Sequence, residues 1–145
     1  MDKFQALNEL AREVYKNAVD HGFYEAEMDM IDAVGGDLDR SIALQHFVFA
    51  QRIALIHSEL SEALEADRNN RFARNVGTVE IALERNTSYE SVFRAAIKDS
   101  VEDEIADALI RILDLCAARN IDIGTHVRLK MAYNSGRPRK HGKAY

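Results

Sequence analysis

Two segments set most of what this chain can become: Phe49 to Ala66, and Val101 to Cys116. Each repeats its apolar residues every three to four positions and carries two acids three residues apart. In the first, Phe49, Ile53, Ile56, Leu60 and Ala63 spread over about 40° to 120° of a helical wheel on which Glu59 stands at zero and Glu62 at about 300°. The second repeats the layout. With Glu104 at zero and Asp107 at about 300°, Val101, Ile105, Ala108, Leu109, Ile112 and Cys116 fall at roughly 40° to 140°. Both runs therefore predict helices with a carboxylate pair flanking an apolar stripe. Packed stripe to stripe, they bring four carboxylates together, and so many like charges require cations or protons. Oxygen ligands of this kind suit Mg²⁺, with Mn²⁺ as the alternative, rather than zinc. A single Glu-x-x-Glu is common on a solvated helix face; its recurrence beside two apolar stripes is what makes Glu59, Glu62, Glu104 and Asp107 a ligand set. Arg52 and Arg111 lie within about 20° of their acid pairs, placed to pair with them or to hold phosphate. Asp103 reads as a solvated acid beside the set.

The same periodicity, followed along the chain, predicts helices throughout. Phe4, Leu7, Leu10, Val14 and Ala18 define a first helix from Asp2 to Asp20, with Asp2 as cap and His21-Gly22 as its stop. Residues 25–34 form a short helix closed by Gly35-Gly36. A turn over Asp37 to Arg40 leads into the long acid-bearing helix, capped by Asp39 or Ser41 and continuing to about Arg68. Residues 69–87 read least clearly, as loop plus a short helix around Val79 to Leu83. A helix from Tyr89 to Ile97, capped by Thr87 or Ser88, precedes the second acid-bearing helix, which starts near Asp99 or Ser100 and ends near Asn120. Asp122 caps a last helix to about Asn134, which Gly136 and Pro138 stop. No strand-like alternation exceeds four residues, so the class is all-α, a helical bundle.

At 145 residues the chain fits a single domain covering residues 1–145. The net charge of −5 argues against a surface that coats a nucleic-acid polymer, although ions at an acidic site can still admit a free nucleotide. The opening MDKFQALNELAREV carries charges throughout, and no apolar run approaches the ~18 residues of a span, so neither a signal peptide nor a membrane partner is expected and the cytoplasm is the expected compartment. Cys116, on a buried stripe, reads as a small core residue. His57 turns away from the acids, and His46 and His126 have no partner at ligand spacing, which leaves no zinc site.

The tail completes the pattern. Lys130, Tyr133, Asn134 and Arg137 stand at i, i+3, i+4 and i+7, so one face of a continuing helix presents all four, while His141 and Lys143 follow the proline. Glu-x-x-Glu, a spacer, and Glu-x-x-Asp resemble the signature of the MazG-like all-α nucleoside triphosphate pyrophosphohydrolases. The ending from Lys130 through Tyr133-Asn134, Arg137-Pro138 and His141-Gly142-Lys143 is similar to that of the small phage-type members. Asn17-Ala18 and His21-Gly22-Phe23 are similar to their opening. The resemblance covers residues 40–145 well and the first forty loosely; the long 69–87 spacer departs from its tighter members.

The resemblance implies Mg²⁺-dependent hydrolysis of a nucleoside or deoxynucleoside triphosphate to the monophosphate and pyrophosphate, in nucleotide-pool housecleaning. It also implies metal binding and catalysis by Glu59, Glu62, Glu104 and Asp107, with Lys130, Tyr133, Asn134, Arg137, His141 and Lys143 on the substrate. Phe47, Val48, Leu55 and Leu113 fall outside the assigned stripes, so the long helices are apolar on more than one face. That, with the family's habit of pairing subunits, leads to a homodimer or a tetramer built from dimers. Two other classes compete. A di-iron oxidase bundle needs Glu-x-x-His pairs, which are absent here; a non-catalytic helical oligomer or adaptor that keeps the acids for stability is separated by nucleotide turnover.

Overall fold

The structure, a computed structural model, describes residues 2–138. Among them it contains seven helices and no strand: α1 (Lys3–Asp20), α2 (Glu25–Val34), α3 (Leu38–Arg68), α4 (Val76–Glu84), α5 (Tyr89–Ala96), α6 (Val101–Ala118) and α7 (Ile123–Ser135). The all-α reading holds. No helix among the described residues is long and apolar enough to cross a membrane.

Local chemistry explains the boundaries. Gly35 and Gly36 take φ of 63° and 85° and end α2 in the left-handed region, where a side chain is strained. Asn70, Asn75, Asn86 and Asn120 make four further left-handed turns, using the residue type that tolerates them best after glycine. The cap of α3 differs from expectation. Asp37, not Asp39 or Ser41, accepts the Arg40 amide at 3.1 Å, because the helix starts early enough to place Asp37 at its end. Ser88 stands at the head of α5 as expected, but in the left-handed region and without a side-chain cap bond.

The chain divides into two compact units. One comprises the chain up to Ser41 together with the chain from Ile112; the other is Ile42–Arg111. In the first unit α1 and α7 cross closely. Asn8 Oδ1 accepts the Gly124 amide at 2.9 Å, and Asn8 Nδ2 donates to Asp122 Oδ1 at 2.7 Å. Asp122 also accepts the Thr125 amide at 2.9 Å, so one carboxylate caps α7 and ties it to α1. A Cβ on Gly124 would stand 2.0 Å from the Phe4 carbonyl oxygen, which is why only glycine fits there. Tyr24 is buried, its hydroxyl donating to Asp114 Oδ1 at 2.8 Å and its ring meeting Tyr15 edge-on at 4.9 Å. Leu113, expected on an outer face, is instead 2% exposed and is the largest fully buried side chain described.

In the second unit the segment before α4 is tied down rather than loose. The Arg74 amide donates to the Ala96 carbonyl at 2.8 Å, the Val101 amide to Arg71 at 3.0 Å, and the Ala73 amide to Glu102 Oε2 at 2.9 Å. Its buried residues include Ile56, Ala63 and Ala66 of α3, Val79 and Ala82 of α4, and Ala108 of α6. This reverses part of the expected packing. Leu60, Ile105 and Leu109, assigned to intramolecular stripes, are about half exposed at 50%, 53% and 49%, whereas Glu59 and Glu104 are 6% and 4% exposed. Glu59 and Glu104 thus lie on inward sides of their helices, while Glu62 is exposed.

Candidate metal centre

The head of α6 fixes most of the site. Ser100 Oγ accepts the Asp103 amide at 3.2 Å, and Asp103 Oδ2 accepts the Asp99 amide at 2.9 Å, an exchange close to a capping box. Asp99 turns the chain at a φ of 60° to make that second bond. Glu102, Asp103 and Glu104 fill the first turn, where the helix dipole favours negative charge. Asp103 is thus 7% exposed and hydrogen-bonded, not the solvated acid its wheel position implied. The Ser-x-x-Asp spacing of residues 100–103 was the available signal.

One turn into α6, Glu104 and Asp107 meet Glu59 of α3, and one carboxylate oxygen from each can be chosen so that all three lie within 4.8 Å. Asp99, Asp103 and Glu104 make a second group of the same tightness, so Glu104 belongs to both. Glu62 is exposed and outside both groups, although its charge acts on Glu104. Among the described residues neither group includes a histidine or cysteine, and His46, His57 and His126 are exposed. Cys116 is buried, and burial pushes its thiol up.

Electrostatics mark the first group. Burial, then the charges of Glu62, Asp103 and Glu59, hold the Glu104 carboxyl above its ordinary value. Asp107 is raised for the same first reason, with Asp103 and Glu59 adding to it. Two cations oppose these shifts. Lys98 acts on both acids, and Arg111 acts on Asp107 while donating through Nε to Glu59 Oε1 at 2.6 Å. Arg111 is therefore the partner of Glu59 here. Glu104, 4% exposed and held toward its protonated form beside two other carboxylates, is a fit for a hard divalent cation.

The cationic set of α7 lies in the other unit. Lys130 Nζ stands 5.0 Å from the Tyr133 ring centre and the Arg137 guanidinium carbon 5.7 Å, both over the ring. The helix stops at Ser135, so Arg137 reaches Tyr133 from beyond it, its amide donating to the Asn134 carbonyl at 3.2 Å. Tyr133 is 63% exposed. His141 and Lys143 lie outside the described residues.

Comparison with protein-family models, with curated proteins and with solved structures gives no match.

Proposed function

We propose that this chain is a MazG-like, Mg²⁺-dependent pyrophosphohydrolase that converts a nucleoside or deoxynucleoside triphosphate to the monophosphate and pyrophosphate, with Mn²⁺ as a substitute ion. The observation that carries the reading is the convergence of Glu59, Glu104 and Asp107, with Glu104 held toward its protonated form by burial and then by the acids around it. The bound ion supplies neutralisation of the triphosphate and of the leaving pyrophosphate. The chain supplies the rest. Glu59, Glu104 and Asp107, with Glu62 beside them, hold the charge in place, and Arg111 fixes the Glu59 carboxylate through its 2.6 Å bond. Carboxylate oxygens left over accept hydrogen bonds from the attacking water and aim it in line at the α-phosphorus, so the bond to the β-phosphate oxygen breaks.

In the same reading Lys130 and Arg137 pair with phosphate, Tyr133 offers a ring face, and Asn134 donates to sugar or base, with His141 and Lys143 contributing from the tail. Subunit pairing as a homodimer or dimer-of-dimers tetramer belongs to it too. The test is a nucleotide panel with Mg²⁺ and product analysis. Monophosphate and pyrophosphate are expected. Orthophosphate and a diphosphate would mean attack at the γ-phosphorus, and no turnover of any nucleotide would leave the non-catalytic oligomer as the reading.

A further inference from the structure

Arg111 stands one turn beyond Asp107 on α6, so Glu104, Asp107 and Arg111, at i, i+3 and i+7, share one face of that helix. Its Nε–H donates to Glu59 Oε1 of α3 at 2.6 Å, and its charge acts on Asp107. The guanidinium therefore touches one acid of the centre and lies close to a second. The pair is lopsided: the Glu59 side chain is 8% exposed and that of Arg111 42%. We propose that Arg111 is a substrate-binding residue with two working edges, its Nε–H anchored on Glu59 and its Nη groups donating to a phosphate oxygen of the triphosphate.

Charge and shape both favour this role. A triphosphate brings several negative charges to a centre that already holds three carboxylates, more than one divalent ion offsets, so a fixed cation in contact with both is of use there. A buried acid that needed only a counter-ion would be served as well by an ammonium, a compact point charge. A guanidinium differs in being a rigid planar fork, of which Nε–H is one donor while the two Nη groups carry the rest. Anchoring one edge on Glu59 orients the other before substrate arrives, which lowers the cost of ordering a long side chain on binding. Half exposure keeps the side chain within reach of a ligand coming from solvent.

The inference rests on the metal reading of Glu59, Glu104 and Asp107, and the experiment separates the two. On the full chain, Mn²⁺ affinity is measured by equilibrium dialysis, and binding of inorganic tripolyphosphate, titrated as its Mn²⁺ complex, by isothermal calorimetry. Circular dichroism confirms that each variant is folded. Arg111→Lys keeps a cation beside Glu59 without the second edge, so it is expected to hold Mn²⁺ within about twofold of wild type and to bind tripolyphosphate about tenfold more weakly, the worth of one charge-assisted hydrogen bond. Arg111→Gln is expected to weaken tripolyphosphate as much while binding Mn²⁺ at least as tightly, since a competing cation is gone. Tripolyphosphate affinity unchanged in either variant would overturn the second edge and leave Arg111 as the partner of Glu59 alone. A parallel loss of Mn²⁺ and tripolyphosphate in Arg111→Lys would overturn it too, because Arg111 would then act only through the ligand set. No Mn²⁺ on wild type would overturn the metal reading itself and this inference with it.

Discussion

Glu104 concentrates the tension in this molecule into one side chain, because it is buried and faces the charges of Glu62, Asp103 and Glu59. Its folded-state pKa lies above the unfolded value, as does that of Asp107. Protons therefore bind the folded chain more tightly, and the stability this confers is present below the unfolded pKa and lost as pH rises through the folded one. Without divalent cations, the chain should melt higher near pH 5 than at pH 7, and Mg²⁺ should remove that gain by taking the protons' place; thermal melts at both pH values, with and without metal, check it. Glu104→Gln should raise the metal-free midpoint by about 3 °C, the effect of roughly 1 kcal/mol on a chain of this size, and abolish the rise with Mg²⁺. A variant that still gains stability from Mg²⁺ would remove Glu104 from the ligand set. The spacing of residues 59, 62, 104 and 107 made the acids legible, because a helical period converts sequence distance into angle. It did not show that Glu62 stays outside, nor that Asp103 is buried, because angle says nothing of what covers a face; only the capping chemistry of Ser100 decides Asp103.

The helices themselves were more legible than their contacts. The long acid-bearing helix ends at Arg68 as its pattern predicts and the last one starts after an Asp122 cap, since both ends depend on neighbours in sequence. The α1–α7 crossing was invisible, because Asn8 and Gly124 are far apart in the chain and neither stands out alone. Gly124→Ala tests that element. Alanine improves helix propensity by up to about 1 kcal/mol, but its Cβ would stand 2.0 Å from the Phe4 backbone oxygen, which no rotamer change relieves. The clash should win, with a net destabilisation of about 2 kcal/mol in a denaturant titration, whereas Gly77→Ala, where a Cβ meets nothing within 4 Å, should not destabilise. Asp122 adds a pH signature at this scale. The Thr125 amide, then the Asn8 side chain, lower it to about 2, below its unfolded value of 3.8. Its contribution is thus fully present above about pH 4 and lost as pH falls toward 2, and Asp122→Ala should flatten the acid limb of the stability profile there.

For the whole molecule, the decisive observation is where the large apolar side chains are. The buried apolar set contains five alanines and one cysteine beside Tyr24, Ile56, Val79, Leu113 and Leu115, while Phe49, Leu60 and Leu64 on α3 and Ile105, Leu109 and Ile112 on α6 are 37% to 53% exposed. Those six fall within one stripe of each helix, between about 80° and 140° from Glu59 and from Glu104. Their exposed area is on the order of 500 Å², which compares with the apolar part of an interface burying about 800 Å² per partner, just over half of it apolar. A second copy presents the same stripe, so two-fold pairing buries both at once. The stripes that the sequence pattern assigned to intramolecular packing are therefore the surface on which we expect the homodimer to form. Light scattering at micromolar concentration should give at least twice the 16.4 kDa of one chain. Leu109→Glu places a charge in the middle of the α6 stripe at a position already half open to solvent, so it should leave the helix content unchanged and lower the scattering mass to that of a single chain. A wild-type monomer, or a Leu109→Glu variant that keeps the full assembled mass, would take this face out of the interface.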